Sequence, residues 1–114
     1  MKVGFIQFEP VFGQSDANME KVERLTEGTD AELVVLPELF HTGYAFTSKE
    51  ETLNLAEPIP AGRTTEALCR LARRINAHIV AGICEREGTH AFNSAVLVSW
   101  LMQACSCWKT HFGV

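Results

Sequence analysis

The sequence predicts an α/β domain with the element order β-α-β-α-β-β, and three observations predict it. Short apolar runs rich in β-branched residues stand at 3–8, 32–36 and 78–84, the pattern of strands buried on both faces of a parallel sheet. Ala67, Leu68, Leu71, Ala72 and Ile75 recur at helical spacing and make one apolar face. The strand-like and helix-like stretches alternate, which implies parallel strands with crossover helices and one antiparallel addition at the end.

The first strand, Val3 to Phe8, stops before Pro10 and Gly13, and Gln7 is its one polar side chain. Gln7 reads either as a satisfied core amide or as a group facing a pocket. Ser15 and Asp16 offer N-caps for a helix that runs to about Glu27, with Met19 and Val22 inward. Gly28 ends it. The second strand, Glu32 to Leu36, follows. Residues 41 to 62 read as loop with a short helical turn around 48–53, and Pro58 and Pro60 make the end of that stretch rigid. A second helix spans about Thr64 to Ala77. The third strand, His78 to Cys84, leads through a polar, glycine-containing turn to the fourth, Phe92 to Val98.

At 114 residues the chain holds at most one domain, and its 46% hydrophobic and 21% charged content is that of an ordinary globular protein. The net charge of −4 and the lack of a basic stripe argue against nucleic acid as a partner. No apolar run approaches the length of a membrane span. The N-terminus enters a strand pattern directly and shows no signal peptide, so a cytoplasmic location is expected, with the four cysteines as reduced thiols.

The most informative stretch is Val34-Val35-Leu36-Pro37-Glu38-Leu39-Phe40. Pro37 cannot donate to a strand ladder, so the strand stops there. Glu38 is left at the carboxyl end of a strand, where open α/β sheets place their ligands. Leu39, Phe40, Tyr44 and Phe46 follow closely enough to shield it from water, and a shielded carboxylate can serve as a general base. The competing reading is a solvated glutamate in a loop.

The tail, residues 99–114, departs from this pattern. Between Ser94 and Phe112 there is no Gly, Pro, Asn or Asp to make the turn that should follow a fourth strand. Cys105-x-Cys107 with His111 falls short of the ligand number and spacing of structural zinc, so no metal site is expected. The domain is therefore drawn at 1–98, with an atypical tail at 99–114 that a disturbance of the reading frame would explain.

Several segments, in order, resemble the nitrilase (carbon–nitrogen hydrolase) superfamily. They are the opening strand with its glutamine, Leu33 to Phe40 followed by Gly43-Tyr44, the run Ala77 to Ile83, and Phe92-Asn93-Ser94-Ala95. Lys109-Thr110-His111 resembles the family's Lys-x-His. The resemblance implies an α-β-β-α sandwich, present here only as its N-terminal half. It also implies a Glu-Lys-Cys triad that hydrolyses non-peptide carbon–nitrogen bonds, with an amide a better expectation than a nitrile as substrate. Cysteine is the nucleophile, glutamate the general base and lysine the group that stabilises the tetrahedral intermediate, and no cofactor is needed.

Carried over residue by residue, Glu38 is the base and Lys109 the lysine, though an exposed terminal lysine reads equally well. Phe40 and Tyr44 are candidates for lining the substrate pocket or for packing. The nucleophile lies beyond the lysine in the family. Cys69, Cys84, Cys105 and Cys107 all precede Lys109, so none matches it. The expectation is a truncated hydrolase, inactive alone, that self-associates through the sheet face its missing half would cover. The alternative is a non-catalytic family member that acts as a binding or assembly partner.

Overall fold

The computed structural model describes residues 1–101 and, as a strand, 107–112. Five strands form one sheet in sequence order: β1 (Val3–Phe5), β2 (Leu33–Val35), β3 (His78–Glu87), β4 (His90–Val98) and β5 (Cys107–Phe112). The pairs β1–β2 and β2–β3 are parallel; β3–β4 and β4–β5 are antiparallel. Three helices intervene: α1 (Ser15–Leu25), α2 (Lys49–Leu55) and α3 (Arg63–Ile75). This is the expected order with two additions. The turn expected near residue 48 is the helix α2, and the tail that lacks turn residues supplies β5.

The sheet has two unlike faces because strand side chains alternate. Val34, Ile79 and Val98 lie in one register row, followed along β3 by Ala81 and Ile83, and all are buried. Met19 and Val22 of α1 and Leu68, Leu71 and Ala72 of α3 join them in a single core. The opposite face carries a second row, Phe5–Val35–Val80–Leu97, which crosses four strands. Phe5 is 76% exposed, Val3 on the same strand 56%, and Leu97 36%. One face is thus covered by helices and the other is apolar and open.

Some local expectations change. The first strand pairs only over Val3–Phe5, although the Ile6 amide still reaches the Val35 carbonyl at 2.9 Å. The N-cap of α1 is Gln14, with no side-chain cap bond. Ser15 and Asp16 lie inside the helix, where the Asp16 carboxylate meets Arg63 at 3.1 Å. Buried Asn18 ties down the preceding loop instead. Its Oδ1 accepts from the Val11 amide at 2.8 Å, and its Nδ2 donates to the carbonyls of Val11 and His41 at 2.9 Å each. Cys69 is disulfide-bonded, so the expectation of four reduced thiols fails there; cysteine pairing depends on geometry that spacing alone does not reveal.

Candidate active site

Glu38 follows the end of β2, and the chain turns sharply after it. Leu39 adopts a left-handed φ of 49°, and the Gly43 amide closes the turn on the Leu39 carbonyl at 2.8 Å. The turn lays the backbone of Glu38 on the open face of β3, against Gly82. A Cβ on Gly82 would stand 2.6 Å from the Glu38 Cα and 2.9 Å from the Leu39 nitrogen, closer than real Cβ atoms approach. A glycine inside a strand commonly marks such a close backbone approach.

Two further groups hold Glu38. The Asn93 amide on β4 donates to its Oε1. The Tyr44 hydroxyl donates to its backbone carbonyl at 2.6 Å. Partial burial, and then the neighbouring Glu38 charge, push the Tyr44 phenol above its ordinary value, which keeps it a donor. Among the described residues nothing bonds Oε2 of Glu38.

The expected shielding is not in place. Glu38 is exposed, and so is Tyr44. Phe40 turns the other way, fully buried in the core between sheet and helices. The kink at Leu39 separates the two, sending residue 38 to the open face and residue 40 inward. Phe46 packs edge-on against Phe12, with ring centroids 5.3 Å apart.

Lys109 stands opposite Val96 in the β4–β5 register, while Phe112 stands opposite Asn93. The backbone of Lys109 is thus three residues along β4 from Asn93, roughly 10 Å at strand rise, and this odd offset puts position 109 in the register row of Val96 on the helix-covered face, not on the face that carries Glu38. The side chain of Lys109, and the Cys105–Cys107–His111 group, lie outside the described residues. Among the described residues no His, Cys, Asp and Glu cluster could hold a metal ion.

Cys84 pairs directly with Asn93 in the sheet and is a free, buried thiol. Burial first, and then the charge of Glu57, push it up to about 11. A nucleophile must be thiolate at working pH, and this environment opposes that.

A second polar cluster lies beneath the site. Fully buried His41 accepts the Cys84 amide on Nε2 at 3.0 Å, so the proton sits on Nδ1, which faces Glu57 at 3.3 Å. The Glu57 carboxylate also accepts from the Thr64 amide at 2.7 Å and hydroxyl at 2.5 Å, filling the N-terminus of α3. Burial alone would raise Glu57, but the bonds from His41 and Thr64 outweigh it and hold the carboxyl below its ordinary range. The Ser15 hydroxyl approaches the same Nδ1 at 3.5 Å. Hydroxyl and carboxylate share one ring nitrogen and the other is occupied, so this group cannot relay a proton as a Ser-His-Glu triad would. Its work is structural: it clamps residues 41 and 57 to α3 and β3.

The sequence pattern alone missed Gly82, His41, Glu57 and Thr64, and gave Asn93 no role. Gly82 carried a usable signal, a glycine within a β-branched run.

The family match settles what the chain belongs to. Residues 2–100 match the carbon-nitrogen hydrolase family. The chain belongs to that family. It is 44% identical over 101 residues to a nitrilase of Pyrococcus abyssi (strain GE5 / Orsay), covering 86% of this chain and 38% of the relative. It is 31% identical over 96 residues to a 2-oxoglutaramate amidase of Bacillus subtilis (strain 168), covering 81% of this chain and 35% of the relative. Its fold matches a CN-hydrolase superfamily protein of Xanthomonas campestris, solved with an arsenic adduct in its active site. There the TM-score is 0.79 at 22% identity, over 95% of this chain and 39% of the other. This carbon–nitrogen hydrolase chain thus spans well under half the length of these relatives. Its sheet, with helices on one side, is the α/β layer of the nitrilase fold. No described helix is long and apolar enough to cross a membrane.

Proposed function

We propose that residues 1–98 supply the general-base half of a hydrolase acting on small non-peptide amides, with nitriles the less favoured substrates. The observation that carries this is Glu38: exposed, seated on Gly82, one oxygen held by Asn93 and the other free. In this reading a cysteine thiolate attacks the amide carbon and forms a thioester as ammonia or an amine leaves. Glu38 takes the thiol proton, returns it to the leaving amine, and then takes a proton from the water that releases the acid. A lysine neutralises the oxyanion; the resemblance offers Lys109, which by the β4–β5 register stands on the other face of the sheet from Glu38. None of the four cysteines acts as the nucleophile, so the 114-residue chain does not turn over on its own.

The test is a hybrid. Residues 1–98 replace the matching part of the Pyrococcus abyssi nitrilase, and ammonia release from simple amides and nitriles is followed. The hybrid is expected to turn over, with Glu38→Gln lowering kcat about 10²-fold or more. A hybrid that folds and works equally well with Glu38→Gln refutes the assignment. The 114-residue chain is expected to release no ammonia. Turnover by it, abolished by Glu38→Gln, would show that the chain has its own nucleophile.

The open apolar face favours a second reading, in which the chain serves as an assembly partner. Co-purification with a full-length relative, without hydrolysis by the hybrid, would support it.

A further inference from the structure

We propose that Gly82 and Asn93 are the positioning residues of Glu38: the bare backbone at Gly82 seats the Glu38–Leu39 peptide on β3, and that seating carries the carboxylate to the Asn93 amide. The inference rests on Glu38 being the base, but its geometry stands apart from catalysis. The two contacts act on different parts of one residue. Gly82 meets the Glu38 backbone, with no room for a methyl group at 2.6 Å from Cα and 3.2 Å from the carbonyl carbon. Asn93 meets the carboxylate from the next strand. Tyr44 holds the Glu38 carbonyl from the far side of the turn, so the peptide cannot rise off the sheet freely.

A side chain at position 82 therefore lifts the backbone and withdraws the carboxylate from Asn93, although Gly82 touches neither group of that bond. Asn93 is suited to the task because a primary amide donates without taking a charge of its own. It fixes Oε1 and leaves Oε2 for the reacting proton. The base is thereby oriented before substrate arrives, and such preorganisation is where positioned groups gain rate.

Gly4 provides an internal control. It lies in the same sheet, but a Cβ there would meet only the Ala31 Cβ at 3.6 Å, an ordinary contact.

The test uses the labelled 114-residue chain and reads the side-chain amide protons of Asn93 by NMR. In the wild type the bond to Glu38 is expected to slow their exchange, and Glu38→Ala to speed it about tenfold and shift their resonances. Gly82→Ala is expected to reproduce that loss, while Gly4→Ala leaves the signals unchanged. A Gly82→Ala chain that folds and keeps the wild-type Asn93 signals overturns the proposal. So does an Asn93 amide indifferent to Glu38→Ala. If Gly82→Ala does not fold, the wild type still decides: a strong nuclear Overhauser effect between the α protons of Gly82 and Glu38 is expected, and its absence overturns the seating. In the hybrid enzyme, Asn93→Ala is expected to lower kcat with little change in KM. An intact NMR signature beside a Glu38→Gln hybrid that keeps its activity would instead refute the role of Glu38 as base.

Discussion

Glu38 shows how a single residue can be legible while its surroundings are not. An apolar run stopped by a proline places a carboxylate at a strand end, and every part of that statement is local. Its partners are not local: Asn93 is 55 residues away in sequence, and Gly82 contributes by having no side chain at all. The His41–Glu57–Thr64 cluster is hidden for the same reason, since burial, not residue type, makes it a unit. Glu57→Leu should cost about 3 kcal/mol, because it leaves the amide and hydroxyl of Thr64 and the ring N–H of His41 without an acceptor. The wild type should also be acid-sensitive. The folded state holds Glu57 below its ordinary value of 4.5. Its stabilisation is therefore complete above that pH and is lost as pH falls through the lower folded value. Denaturant unfolding of wild type and Glu57→Gln from pH 7 to pH 3 checks this: the variant should start less stable and lose less. Cys84 gives a second residue-level prediction. With its thiol pushed up to about 11, it should resist iodoacetamide at pH 8 in the folded chain and react on unfolding. Fast labelling of folded Cys84, read by mass spectrometry, would contradict that.

At the scale of elements, legibility follows the strength of the local pattern. The long helix α3 is readable because its apolar positions recur with helical period and all face one core; Leu68, Leu71 and Ala72 are buried. Its left-handed C-cap at Asn76 is conformationally natural for asparagine. The start of α1 is less readable, because Ser15 and Asp16 look like caps but are the first two residues of the helix itself, and Asn18 fastens the entry loop from inside the helix. Strand β5 lies beyond a stretch without turn residues, so no local signal announces it and only its pairing with β4 reveals it. The test of α3 is Leu68→Ala. Leu68 is fully buried in the core shared with β3 and β4, so truncation should cost about 3 kcal/mol in denaturant unfolding. The exposed Arg63–Asp16 ion pair joins the same two helices, yet Arg63→Ala should change stability by under about 1 kcal/mol. If the two effects were equal, the exposed ion pair would matter to the fold as much as apolar burial does.

For the molecule as a whole, the decisive feature is the contrast between its two sheet faces. Helices α1 and α3 cover one. The other shows the row Phe5–Val35–Val80–Leu97 to solvent, with Val3 beside it. Monomeric proteins seldom leave a contiguous apolar patch of that kind uncovered. The edge strand β1 adds to the exposure, because its outer backbone groups are a template for pairing. This chain, spanning well under half of its relatives, should therefore cover the face by associating with itself. Sedimentation over a range of concentrations should show assemblies at tens of micromolar, dissociating on dilution. The double substitution Val3→Lys, Phe5→Lys puts two charges on that face at sites that are already solvated, so folding stability should change by only about 0.5 kcal/mol. Association should weaken at least tenfold, since two desolvated lysines and the lost apolar area each exceed about 1.4 kcal/mol. The same face carries Glu38, so assembly and the exposure of the base are linked. A variant that dissociates while leaving Glu38 seated on Gly82 would separate the covering of the face from the geometry of the site. A wild-type chain that sediments as a single protomer at every concentration would mean that the apolar row is tolerated in water.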